Sequence, residues 1–266
     1  MALFAAFTIG PVVQSIIYSL TNYDLIQTPD FVGLNNYIKI FTDPNHDFLN
    51  ALIFTTLFTI VSIITVNIIA FSLAMLLTRK MKGTNFFRSV FFLPNLIGGI
   101  VLGFIWQIIL NGILANYSMN VTSNTQNAFW GLVILTCWQQ IGYMMIIYIA
   151  GLSNISTDVL EAARVDGAGY FTTLFKVTIP SVMPSITICL FLTITNAFKL
   201  FDQNLALTAG APAGKTRMLA LDIYETFYGR VGNEGLGQAK SVIFFLIVAA
   251  ASLSQLILTR RKEVES

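Results

Sequence analysis

Residues 51–77 read Ala51-Leu-Ile-Phe-Thr-Thr-Leu-Phe-Thr-Ile-Val-Ser-Ile-Ile-Thr-Val-Asn-Ile-Ile-Ala-Phe-Ser-Leu-Ala-Met-Leu-Leu77, an apolar run without one charged side chain. The hydrocarbon core of a bilayer is about 30 Å thick, and a helix crosses it in about 20 residues. This run is long enough to cross. It is continuously apolar, not alternating, so it predicts a membrane helix and not a barrel strand.

The rest of the chain agrees. Of 266 residues, 55% are hydrophobic and 11% charged, and the mean hydropathy is +0.73. A soluble surface needs about 25% charged residues, so lipid must cover much of this one. The stretches 2–20, 50–78, 87–110, 129–152, 182–202 and 238–259 all qualify or nearly qualify as spans, which predicts an all-α, six-span membrane protein forming a single domain over 1–266. Pro11, Pro94 and Pro184 lie in or near spans, where neighbouring helices can satisfy the freed carbonyls. Residues 2–20 lack the basic start and small-residue cleavage site of a secretory signal, so they are read as a helix. The missing basic flank predicts a start upstream of Met1.

Charge placement orients the bundle. Arg79, Lys80, Lys82, Arg88, Arg164, Lys176, Arg260, Arg261 and Lys262 fall on one side by alternation, against Lys39, Lys215, Arg217 and Arg230 on the other. The richer side is cytoplasmic. Both termini are therefore expected there. The net charge of +2 gives no case for a nucleic-acid partner. Cys137 and Cys189 sit in apolar runs and read as small buried hydrophobes.

The cytoplasmic loop 153–180 reads Ser153-Asn-Ile-Ser-Thr-Asp-Val-Leu-Glu-Ala-Ala-Arg-Val-Asp-Gly-Ala-Gly-Tyr-Phe-Thr-Thr-Leu-Phe-Lys-Val-Thr-Ile-Pro180. Asp158 and Glu161 have capping-box spacing. Gly167 and Gly169 are expected to end a short helix, where positive φ is cheap. Tyr170, Phe171, Leu174, Phe175 and Val177 then give a second, amphipathic piece. Such an elbow offers a knob to a soluble partner, although composition alone favours an ordinary interfacial connector.

Glu161-Ala162-Ala163, Gly167 and Val177-Thr-Ile179-Pro180 resemble the EAA loop of bacterial ABC importer permeases, with Val177 and Ile179 in place of Ile and Leu. The string Glu-Ala-Ala-Arg-Val-Asp166-Gly-Ala is similar to the carbohydrate-uptake, maltose and multiple-sugar, MalF-like branch of binding-protein-dependent transporters. So are Phe31-Val-Gly-Leu-Asn-Asn-Tyr37 and Leu207-Thr-Ala-Gly-Ala-Pro212. The resemblance covers essentially the whole chain. It implies a type I importer (MetI-like) transmembrane domain whose coupling residues are Glu161, Ala162, Ala163, Asp166, Gly167 and Pro180. It also implies a second, homologous permease subunit, a cytoplasmic ATPase dimer that holds the ATP and Mg, and an external or periplasmic binding protein. The cell membrane is the implied location. This subunit would be no enzyme and would carry no cofactor.

Gly210-Ala-Pro-Ala-Gly-Lys-Thr216 nearly spells a phosphate loop, but three residues separate its glycines where four are needed, and it falls on the external side. The lone His46 and the absence of any His/Cys/Asp cluster at ligand spacing give no metal site.

A sugar path needs polar and aromatic groups facing the bundle interior. The fourth span offers Trp138, Gln139, Gln140 and Tyr143, and the fifth offers Thr193, Thr195, Asn196, Lys199, Asp202 and Gln203. Gln139 and Tyr143 share a face, as do Asn196 and Lys199. Alignment with the maltose-type relatives implies that Gln140, Tyr143, Asn196 and Leu200 are contact positions. Helix–helix hydrogen bonding is the competing role for each. Lys199 stands out as the cation evident in the spans; it is expected to snorkel to the outer interface, to pair with Asp202, the one carboxylate at a span's edge, or to face the cavity. The expected cargo is an oligosaccharide. Glycerol phosphate or another polyol-like solute is the nearest rival, and an ion-coupled transporter or a membrane enzyme is a remote one.

Overall fold

The computed structural model describes residues 7, 9–24, 29–42, 47–79, 82–229 and 232–260. These are mainly helical, with one isolated antiparallel bridge between Thr21 and Phe31. In chain order the helices are α1 (Gly10–Ser19), α2 (Asn35–Thr42), α3 (Phe48–Leu77), α4 (Thr84–Phe92), α5 (Gly99–Leu114), α6 (Thr125–Ser153), α7 (Thr157–Val165), α8 (Tyr170–Ser181), α9 (Met183–Phe198), α10 (Asp202–Leu207), α11 (Leu219–Tyr228) and α12 (Glu234–Arg260). Four stretches, α3, Gly99–Tyr117, α6 and α12, are long and apolar enough to cross a membrane, and the bent pair α8–α9 makes a fifth. The first expected span, 2–20, lies partly outside the described residues; α1 is its described part. His46 lies outside them too.

Helix α6 is the axis of the bundle. Of its most apolar window 67% is buried, against 28% for α3 and 6% for α12, which present their Leu, Ile and Phe side chains outward. Small residues let neighbours close on α6. A methyl group at Gly142 would collide with the carbonyl of Phe91 in the last turn of α4, and one at Gly151 with the side chain of Ser185 in α9. Polar ties cross the apolar interior as well. The Tyr148 hydroxyl donates to Asn67 Oδ1 at 2.7 Å, and Asn67 Nδ2 donates to Thr193 Oγ1 at 3.2 Å, which joins α6, α3 and α9. Such bonds are worth about 0.6 kcal/mol each between membrane helices. Cys137 and Cys189 are buried and free.

Two expected spans are corrected. The third, 87–110, is not one helix. It breaks into α4, a 3-10 turn at Leu93–Leu96 and α5, because Pro94 has no N–H to continue the ladder and Ile97 and Gly98 turn extended. The fifth, 182–202, is shorter: α9 stops at Phe198, Lys199 caps it, and α10 begins a separate helix at Asp202. At its other end α9 meets α8 at a 71° bend, where Pro180 and Pro184 flank Val182.

The charge reading is also corrected. Lys199 is not the only cation in a span. Lys240, in α12, is wholly buried and its ammonium lies 2.7 Å from Asp222 Oδ2 of α11. It also donates to Thr226 Oγ1 at 2.9 Å. Lys199, by contrast, forms no ion pair with Asp202.

Candidate functional site

Both helix breaks occur at one depth. Gln139 and Gln140 stand halfway along α6. Beside them lie the start of α5 and the gap between α9 and α10. Irregular backbone is tolerated inside a membrane only where protein covers it or where it lines a wet cavity. Here it does both. Gln139 Nε2 donates to the carbonyl of Ile97 at 3.3 Å, which satisfies the extended link before α5. Gln203 Nε2 donates to Gln139 Oε1 at 2.7 Å, which ties α10 to α6. The start of α10 crosses α5 closely enough that a methyl group on Gly99 would lie 2.6 Å from Asp202 Cβ.

The result is a polar recess of about 220 Å³ lined by Asn95, Gln139, Gln140, Asn196, Lys199, Leu200 and Gln203. Six residues singled out from the sequence, Gln139, Gln140, Asn196, Lys199, Leu200 and Gln203, come together there. Tyr143 does not line it; its side chain lies half-exposed on α6. Asn95 joins the recess without having been expected. Its signal was a polar residue directly after Pro94 inside an apolar run. The amide oxygen of Gln140 is buried and has no hydrogen-bond partner among the described residues. Lys199 is exposed at the recess and has no carboxylate beside it among the lining residues. The chemistry on offer is hydrogen bonding: amides that both donate and accept, with one ammonium donor.

The second site is the elbow that follows the C-terminal end of α6. Helix α7 is capped by Ser156, whose Oγ accepts from Asp158 N–H at 3.2 Å. Asp158 is therefore not the cap, as its spacing to Glu161 had suggested; it lies in the first turn, where its charge suits the helix dipole. At the other end Ala168 N–H donates to the carbonyl of Ala163 at 2.9 Å, and Gly167 N–H to that of Arg164 at 3.0 Å. That is a Schellman closure, which needs a left-handed residue, and Gly167 supplies it with φ 77. Gly169 does not share this role. Its φ of −69 is ordinary, and it caps α8.

No residue of α7 is buried. Glu161, Ala162 and Asp166 are exposed and Ala163 is half-buried. Around them stand Val165 at 87%, Phe171 at 72% and Phe175 at 63% exposure. Leu174 and Val177 of the expected apolar face are half-buried, whereas the ring of Tyr170 is exposed. Tyr170 and Leu174 line a crevice against Phe71, Met75 and Leu76 of α3. Pro180 and Val177 line a cleft of about 610 Å³ behind α7 with Val159, Ile155 and Gly151. The elbow is thus a small helix with bare apolar neighbours at one end of the bundle.

The chain matches the family "Binding-protein-dependent transport system inner membrane component" over residues 68–264. It is 45% identical over 263 residues, 96% of its own length and 89% of the relative's, to the "Probable starch degradation products transport system permease protein AmyD" of Thermoanaerobacterium thermosulfurigenes. The sn-glycerol-3-phosphate transport system permease protein UgpA of Yersinia pestis is 28% identical over 282 residues, 98% of this chain and 92% of that one. The fold is that of a subunit of a bacterial ABC transporter involved in the import of the acidic polysaccharide alginate, with a TM-score of 0.79 at 17% identity, covering 98% of this chain and 92% of that one. An all-α multi-pass bundle with this family match is a transport component, and the chain belongs to the binding-protein-dependent inner membrane components as a permease subunit of an ABC importer.

Proposed function

We propose that the chain forms half of the translocation path for a carbohydrate, an oligosaccharide handed over by an external binding protein. A second, homologous permease subunit supplies the other half. A cytoplasmic ATPase dimer binds ATP and magnesium and docks on α7, and both termini of this chain face that side. Closure of the ATPases moves the elbow, and the recess then faces outward to receive the sugar.

The observation that carries this reading is the amide-lined recess at the helix breaks. A sugar presents many hydroxyls and no compulsory charge, and amides answer both the donor and the acceptor of each hydroxyl. The unpartnered Gln140 oxygen waits for one such O–H. The elbow supports the ATP-driven class over an ion-coupled one. The buried Asp222 and Lys240 neutralise each other, so Asp222 is not a free carboxylate for ion binding. The likeness to the starch-product permease favours a linear glucose oligomer.

Lys199 supports a second reading, an anionic cargo such as a sugar phosphate or uronate, because an unpaired ammonium in a partly enclosed recess attracts a negative group. Uptake of labelled maltose, maltoheptaose, glycerol phosphate and a uronate oligomer, in cells with and without this chain, tests the two. Neutral sugar uptake that requires the chain, and that survives Lys199→Gln within about tenfold, is expected, since a neutral hydroxyl bond is worth about 0.5–1.5 kcal/mol. Uptake confined to the anionic solutes and abolished by Lys199→Gln would replace the first reading by the second.

A further inference from the structure

A row of aromatic rings leads away from the recess. Phe201 stands in the chain between the recess residues Leu200 and Gln203. Its ring centroid is 5.1 Å from that of Tyr224, which is 4.9 Å from that of Tyr228. The tilts between successive rings are 57° and 44°, so the rings step past each other and do not close into a stack. Exposure rises along the row. Phe201 is half-buried, Tyr224 is 44% exposed and Tyr228 77%.

The row also has a direction. Leu219 N–H donates to Thr55 Oγ1 at 2.9 Å, which anchors the start of α11 below the outer end of α3. Tyr224 and Tyr228 are one turn apart on α11, on the same face. The helix ends at Tyr228, towards the side opposite the elbow. Its frame is rigid. Lys240 pins α11 to α12 through Asp222 and Thr226, and Arg217 pairs with Glu225 at 2.7 Å. Tyr224 and Tyr228 are thus held on a fixed frame with their rings bare.

We infer that Phe201, Tyr224 and Tyr228 form a stacking track for the pyranose rings of a linear oligosaccharide, from the external mouth to the amide recess. This rests on the carbohydrate reading above and adds a binding site to it. The apolar face of a glucose ring covers an aromatic face, and its hydroxyls stay free at the edges for water. Successive rings at near-regular spacing let a sugar chain advance without ever leaving a surface. A long oligomer engages the whole track, whereas a disaccharide engages it only in part.

The test uses the complete complex in proteoliposomes with its binding protein saturated, reading sugar delivered per ATP hydrolysed for labelled maltoheptaose and maltose. Tyr224→Ala and Tyr228→Ala should each lower maltoheptaose delivery about two- to tenfold, the worth of one aromatic contact. Maltose delivery should fall by less, and ATPase stimulation by the loaded binding protein should hold. Tyr228→Phe should behave as wild type and Tyr228→Leu as the alanine variant, since the ring and not the hydroxyl is needed. Equal losses for both sugars, a fall in ATPase stimulation that matches the loss of delivery, or failure of the complex to assemble would overturn the track. The last two would make the rings a docking surface for the binding protein or the second permease. A wild-type complex that hydrolyses ATP yet delivers neither sugar would instead sink the carbohydrate reading itself, and the track with it.

Discussion

An ammonium group taken out of water needs partners for its protons, and Lys240 has Asp222 and Thr226 within hydrogen-bond range and the Phe48 ring 5.9 Å away. Removing one partner of such a pair leaves the other buried and uncompensated, which costs about 3–5 kcal/mol. Lys240→Met should therefore lower the thermal stability of the purified complex sharply. Asp222→Leu combined with Lys240→Met should recover most of it, and a double variant as unstable as the single one would show that the pair is not what holds α11 to α12. At this scale the sequence was only partly legible. The recess glutamines, Asn196 and Lys199 stood out as polar residues in apolar runs. Lys240 escaped although it lies inside the expected span 238–259, near that span's start. Its partner lies on another helix, and no local spacing reveals a pair made across elements. The Ser156 cap was hidden by the more obvious Asp158–Glu161 spacing.

Continuous apolar composition hides a break in a helix, and this is why α4 and α5 looked like one span. The signals were present in Pro94 and in Gly98-Gly99, yet proline is common within membrane helices and by itself predicts only a kink. What decides is packing. The backbone at Phe91 and Phe92 seats directly on Gly142 of α6, where any side chain would intrude. Gly142→Val should push α4 and the Leu93–Leu96 turn away from α6 and destabilise the complex by about 1–3 kcal/mol, the usual cost of overpacking. Gly112→Ala, which meets nothing within 4 Å, should leave the melting temperature unchanged or slightly raised. Equal behaviour of the two variants in thermal unfolding would mean that the α4–α6 contact does not set the break. The elbow was more legible, since its spacing fixed the glycine at the turn, and Gly167 takes the left-handed conformation that the Schellman closure demands.

Across the whole molecule, the elbow and the recess are joined by two helices. Helix α6 carries Gln139 and Gln140 at its middle and enters the elbow at Ser153. Helix α9 leaves the elbow through its bend at Val182 and carries Asn196 near its far end. Each path is a continuous helix of about 20 Å, at 1.5 Å per residue, and the two are tied midway by Tyr148, Asn67 and Thr193. The proposed movement of α7 would therefore travel to the recess along stiff elements. Ala163, half-buried on α7, is the position where a large charged side chain would most directly block the ATPase subunit proposed to dock there. The decisive measurement is oligosaccharide accumulation by proteoliposomes holding the complete complex with Ala163→Arg, fuelled with internal ATP and supplied with loaded binding protein. Accumulation should fall about tenfold or more, as for other central contacts of an interface, while the two permease subunits still assemble. Accumulation at the wild-type rate would contradict the proposal that the elbow drives the recess.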